Sequence, residues 1–240
     1  VRSGTSETND IDLERLEHAI AAALDPLLEG WLGAGSTRAD QSVDPSRQAD
    51  EKHKTAQVAA VLLPIIAGAA TLAAGKAVAD LGLKAAGTAL DTAGIVASVA
   101  KLVGSGAAYE AAQARHALAA AASARERLVV RQERLDMLKR WAVGVSIQAA
   151  TFTQNAAREA AISAAVQVED HTPYAIARTW KTRGDAKVRP AHAAVEGQKR
   201  PLGEPFDVAG VPMRWPGDTL APPELAANCR CRLRYSLTKG

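Results

Sequence analysis

Cysteine is scarce. Only Cys229 and Cys231 occur in 240 residues, too few for a disulfide scaffold. Aromatic residues make up 4%. Strands draw on Val, Ile, Thr and aromatics, so this composition argues against an all-β sandwich. Proline is sparse over the first 170 residues, where Pro26, Pro45 and Pro64 stand, while the other eight of the 11 lie in residues 171–240. The opening VRSGTSETND has no apolar run and is no signal peptide. With Val at position 1, the chain is expected to be processed or an excerpt of a longer one. What is abundant is apolar side chain, 48% of residues, its excess mostly alanine, the best helix former. That share, with a net charge of only +3, predicts a folded chain rather than a disordered one.

Charge is unevenly spread. Residues 1–57 carry 6 Lys+Arg against 11 Asp+Glu, residues 58–170 carry 11 against 9, and residues 171–240 carry 12 against 6. An acidic front thus precedes a basic tail. Such a tail suits nucleic acid phosphates or an acidic protein surface, or is simply a solvated face.

In residues 11–32, Leu13, Leu16, Ile20, Leu24, Leu27 and Trp31 recur at spacings of three and four, which predicts a helix. Asp10 is the expected cap, Gly33 the stop and Pro26 a kink point. Residues 33–50 lack periodicity and read as a linker, making residues 1–54 an acidic helix and linker. Between Lys54 and Lys76 lie 21 residues without charge, long enough to cross a bilayer. Pro64, Gly68 and many alanines keep that stretch only modestly hydrophobic. Lys76, Asp80, Lys84, Asp91 and Lys101 follow at helical spacings, and Gly82, Gly87, Gly94 and Gly104 permit close helix packing. Residues 55–106 are therefore expected to form an Ala/Gly-rich helical hairpin buried against protein, with a membrane span as the alternative. The segment GAATLAAGKA is no phosphate loop: Ala70 stands where the first glycine belongs and Ala77 where the magnesium-binding hydroxyl belongs.

Residues 107–168 contain no proline and read as one long helix or two nearly continuous ones. Leu128, Leu135, Ala142, Ala149 and Ala156 fall every seven residues, with Leu138, Val145 and Phe152 beside them, a helix-packing stripe. Unbroken, this segment would extend about 90 Å, which suits a rod or a multi-subunit assembly. A broken helix within a bundle is the other reading, with Gly144 as the candidate break. Leu135 and Leu138 are expected in a helix–helix contact that mediates association. The fold class is thus mainly α, with domains 1–54, 55–106 and 107–170 followed by a small α+β module over 171–240.

Chemistry concentrates in that last module. In order it holds TWKTRGDAKVRPAHAAVEGQ, PFDVAGVPMRWPGD and PPELAANCRCRLRY. The set Asp185-x3-Arg189-x2-His192-x4-Gly197, then Pro216-Gly217-Asp218, then Asn228-Cys229-Arg230-Cys231 resembles the C-terminal domain of the phage Mu F-like minor head (head-morphogenesis) proteins. The resemblance runs from Thr179 to Tyr235; residues 1–170 carry none. It implies a structural, non-enzymatic virion protein in the capsid interior. The implied partners are the portal protein, other head proteins and packaged DNA, with a role in head assembly or DNA ejection and multiple copies per particle. Related modules also occur as carrier regions of polymorphic toxins, and a membrane-active ejection or pore protein is a further alternative.

The residues also read on their own. His192, Cys229 and Cys231 offer an imidazole and two thiolates, ligand types that zinc prefers, and Asp185 is a candidate fourth ligand. Competing readings are reduced cysteines, a strained disulfide across one residue, and a polar network of Asp185, Arg189 and His192. The zinc-deaminase signature and H-E-x-x-H are both absent. A Cys229–His192 nucleophile pair lacks a recognisable third group. Arg230, Arg232 and Arg234 alternate with Cys231, Leu233 and Tyr235, a strand with one basic face. That face is a candidate contact for DNA or portal, or else a charged strand edge. His18, His53, His116 and His171 stand alone and read as ordinary surface or packing residues.

Overall fold

A computed structural model describes residues 12–33, 45–84, 90–168 and 174–239. Leu16, Ile20, Leu24 and Leu28, spaced four apart, are buried on one face of helix α1 (Leu13–Gly33), which runs through Pro26 without ending. The cap expected at Asp10 lies outside the described residues. Asp12 instead accepts the N–H of Arg15 on its carboxylate and the N–H of Leu16 on its carbonyl, as an N-cap does.

Helix α2 (Pro45–Asp80) begins ten residues before the expected hairpin. Proline is well placed there, because the first helical residue needs no N–H partner. The linker reading of residues 33–50 therefore ends too late. Helix α2 stops in a Schellman turn: Gly82 has φ +66°, its N–H donates to the Ala79 carbonyl, and the Leu83 N–H donates to the Val78 carbonyl. Helix α3 (Thr92–Ala120) starts at Asp91, whose carboxylate accepts the Gly94 N–H at 2.8 Å.

The 107–168 stretch is not continuous. It breaks at residues 121–123, and helix α4 spans Ala124–Val168. Ser123 accepts the Glu126 N–H at 3.1 Å, and the Glu126 carboxylate accepts the Ala122 N–H at 2.7 Å. This reciprocal arrangement resembles a capping box. Gly144 lies inside α4 and breaks nothing. A Cβ there would sit 2.7 Å from the Asn228 carboxamide oxygen, so its lack of side chain serves a close approach.

Helices α2 and α3 form the expected hairpin and pack with α1 and α4 into a bundle. Its core joins aliphatic and alanine side chains from all four helices: Ile20 and Leu24 of α1, Leu62 and Ile66 of α2, Val99 and Val103 of α3, Leu138 and Ala149 of α4. At Gly104 a Cβ would stand 2.7 Å from the Thr55 Cα, so the α2 and α3 backbones nearly touch. The heptad stripe is satisfied within the chain. Leu135, Leu138, Val145 and Phe152 are buried in this core, whereas Leu128 is 70% exposed because the first turns of α4 are left uncovered. The 55–106 hairpin packs against protein through one face of α2, whereas Leu63 and Leu72 on the other face are half exposed.

The C-terminal module has strands β1 (Tyr174–Lys181), β2 (Lys199–Pro201), β3 (Phe206–Val208), β4 (Val211–Met213) and β5 (Arg232–Lys239), with short helices α5 (Pro190–Ala194) and α6 (Pro223–Ala226). Strand β1 lies between β2 and β5, antiparallel to both, and β3–β4 form a separate hairpin. Alternation aims Ile176, Arg178 and Trp180 of β1 and Leu233 and Tyr235 of β5 inward, all buried. Ala77 and Ile162 from the helices and Leu81 in the turn after α2 complete that second core, so the module rests on the ends of α2 and α4.

Candidate metal centre

The loop after β1 leads to Arg189, which caps α5 ahead of Pro190. The Arg189 guanidinium donates to the Ala227 carbonyl, tying this loop to the segment after α6. There Asn228 takes φ +53°, a left-handed conformation that asparagine tolerates better than most residues. The reversal sends the Cys229 and Cys231 side chains inward, 1% and 4% exposed, and leaves Arg230 pointing outward between them, 2.8 Å from Asp185. Thr151 of α4 holds the turn from beneath by donating to the Cys229 carbonyl at 2.8 Å.

Helix α5 delivers His192 to the two sulfurs. Its Nδ1 lies 3.7 Å from Cys229 Sγ and 3.4 Å from Cys231 Sγ, and all three candidate ligand atoms lie within 4.8 Å of one another. Zinc bonds of about 2.3 Å to sulfur and 2.0–2.1 Å to nitrogen at a tetrahedral angle place N and S about 3.5–3.6 Å apart. The group can therefore hold a metal ion with little rearrangement. Trp180 packs edge-on against the imidazole at 5.5 Å between ring centroids. With Nδ1 turned to the sulfurs, Nε2 is buried and meets no hydrogen-bond partner. The ring is oriented by packing rather than by the hydrogen-bond acceptor usual behind a ligating histidine.

The two thiols behave as a pair. The hydrogen bond from Cys231 is the largest cause that holds the Cys229 pKa well below the ordinary thiol value; burial opposes it, and His192 adds to the lowering. Cys231 is pushed up, first by that same bond and then by burial and the neighbouring charge. A divalent cation bound by both sulfurs would displace thiol protons, since metal binding releases them.

Of the sequence-derived candidates, His192, Cys229 and Cys231 come together. Asp185 does not join them: its carboxylate is taken by Arg230 and by the Lys187 N–H. It is exposed, and withdrawing it toward the metal would break both contacts. Arg230 is engaged by that pair, while Arg232 and Arg234 stand on the outer face of β5, the first exposed and the second partly buried.

Sequence reading missed what positions the centre. Asn155 donates to the Pro216 carbonyl and accepts the Leu233 N–H. Glu159 accepts Tyr235 O–H at 3.0 Å and pairs with buried Arg178 at 2.9 Å. The available signal is the polar run Gln148, Thr151, Thr153, Gln154, Asn155, Arg158 and Glu159 inside an alanine-rich helix, all buried. Pro216-Gly217-Asp218 is a turn in which buried Asp218 accepts from the Arg214 side chain, the Arg214 N–H and the Leu220 N–H. No family model, no curated protein and no solved structure matches this chain.

Proposed function

We propose that this chain is a structural, non-enzymatic minor head protein of a tailed phage, of the Mu F-like head-morphogenesis kind. In this reading it is portal-associated in the capsid interior, and its His192–Cys229–Cys231 centre holds a structural zinc ion. The observation that carries the reading is how the motif residues are used. Asp185 pairs with Arg230, Arg189 binds the Ala227 carbonyl, and His192 meets both sulfurs. Gly197 turns at φ +77° and its N–H donates to the Trp180 carbonyl. These four residues close the module on itself, and both sulfurs are buried, the environment of structural rather than reactive cysteines. Arg232 and Arg234 supply the outward basic face for DNA or for the portal.

Particle composition tests the head assignment. Mass spectrometry of purified virions from the encoding phage should find the chain at low copy number, and deletion of its gene should yield defective heads. Detection only outside particles would refute it. For the metal, the purified chain should carry one zinc per molecule by elemental analysis, and Cys229→Ser should lose it. A metal-free but fully folded native protein would remove zinc and leave a hydrogen-bonded triad.

One observation favours membrane contact as a second reading. Within Ala49–Asp80 the helix is long and apolar enough to cross a bilayer, and Leu63 and Leu72 face outward. Flotation of the intact chain with liposomes at neutral pH would support it; recovery entirely in the lipid-free fraction would count against it.

A further inference from the structure

Three donors from this chain converge at the metal centre, and among the described residues no fourth His, Cys, Asp or Glu joins them. Asp185, the carboxylate expected as fourth ligand, is instead paired with Arg230 at 2.8 Å. All three donors border a small surface cleft whose charged lining is entirely cationic: Arg183, Lys187, Arg189 and Arg230. Zinc is ordinarily four-coordinate, so three protein ligands leave one position for an outside group.

The charges around the cleft can be followed one by one. Arg230 is balanced by Asp185 and Arg183 by Glu14 at 3.3 Å. Glu17 of α1 also faces Arg183 and Arg230, and burial raises its pKa. Arg189 binds a carbonyl, which leaves its charge uncompensated. Among the described residues, neither Arg189 nor Lys187 pairs with a carboxylate. Two thiolates neutralise a divalent metal, so the surplus charge lining the cleft that the three donors border is positive.

We infer that the centre, holding its metal, takes a phosphate oxygen as fourth ligand, with Arg189 and Lys187 gripping the remaining oxygens; this rests on the metal reading above. A hydroxide could fill the position but could not reach the cations. A carboxylate has one further oxygen to share between them. Phosphate has three, disposed tetrahedrally, and matches the guanidinium fork. The phosphodiester backbone of DNA also offers a charged oxygen to the metal but keeps one further unesterified oxygen for the cations, so free phosphate is the better match.

Cobalt(II) provides the test, because its visible spectrum reports both thiolate ligation and coordination geometry. The full chain is loaded with cobalt and titrated at constant ionic strength with inorganic phosphate, and separately with a short DNA duplex. The expected result is a saturable shift of the ligand-field bands with phosphate, with DNA, or with both. The arm that responds identifies the source. Lys187→Glu should weaken the response about tenfold, and Asp185→Asn should retain it. Bands that ignore both probes, or ligand loss in Asp185→Asn, would overturn the inference. A normal thiolate–cobalt band indifferent to phosphate and DNA would sink this step alone; absence of that band would sink the metal reading with it.

Discussion

Asp218 shows how much one side chain can hold. Burial on its own would raise its pKa, but the Arg214 guanidinium and the backbone N–H groups of Arg214 and Leu220 outweigh burial and lower it. Its folded-state value thus lies below the unfolded value of about 3.9. The stabilisation is complete above that value and is lost as pH falls through the depressed one. Asp218→Asn should cost about 2 kcal/mol at pH 7 and flatten the acid limb below about pH 4. Urea melts at pH 7 and pH 3 check this; identical pH profiles for the two proteins would refute it. The Pro216-Gly217-Asp218 run is visible in the sequence as a motif. Its role as a buried clamp is not, because its partners depend on how the chain returns past α4.

At the scale of elements, small residues matter by where they approach a neighbour. Gly104→Ala gains about 1 kcal/mol of helix propensity, but the new Cβ meets Thr55 backbone atoms at 2.7 and 2.8 Å. Overpacking costs about 1–3 kcal/mol, and backbone cannot swing aside as a side-chain tip can. Net destabilisation is expected in thermal melts, and a stabilised variant would show the α2–α3 contact to be looser than described. The stripe on α4 gives a paired prediction. Leu138→Ala, at a site 1% exposed, should cost about 3 kcal/mol. Leu128→Ala, at a site 70% exposed, should stay within about 0.5 kcal/mol. Equal effects in chemical denaturation would contradict the bundle. Leu128 and Leu135 share one heptad position, so periodicity cannot separate them; only the covering helix does. The break before α4 is legible, since Ser123-Ala124-Arg125-Glu126 is a capping signature, but it holds neither proline nor glycine, the residues by which a break is usually recognised.

The whole molecule is joined through α4, which serves the bundle with its first half and the module with its second. Arg178 and Glu159 lie at that junction, 1% and 10% exposed. Arg178→Met strands the Glu159 carboxylate and should cost about 3–5 kcal/mol at neutral pH. Burial is the largest cause raising the Glu159 pKa, and Arg178 opposes it. A raised folded value favours the folded state below the unfolded value of about 4.3 and loses that advantage as pH rises through the folded one. Without Arg178 the shift grows, so the defect should shrink as pH is lowered from 7 to 5. Denaturation midpoints at both pH values measure it, and a defect that widens in acid would rule out this account.

Some of this protein follows from the order of its residues alone. The spacing of leucines makes α1 amphipathic, alanine and the lack of proline make the middle helical, and alternation makes β5 a strand with Leu233 and Tyr235 inward, in line with Cys231 just before it. Proline-rich punctuation marks the final module, and two cysteines beside a motif histidine are enough to name His192, Cys229 and Cys231 as one group. The tertiary structure alone decided that Asp185 serves Arg230 instead of the metal, that the α4 stripe is covered by its own chain, and that a row of polar side chains on α4 lies buried under the module. The physical reason is the same in each case. Local spacing determines which face of an element a residue occupies. What lies opposite that face depends on contacts between residues distant in sequence, and those exist only once the chain has packed.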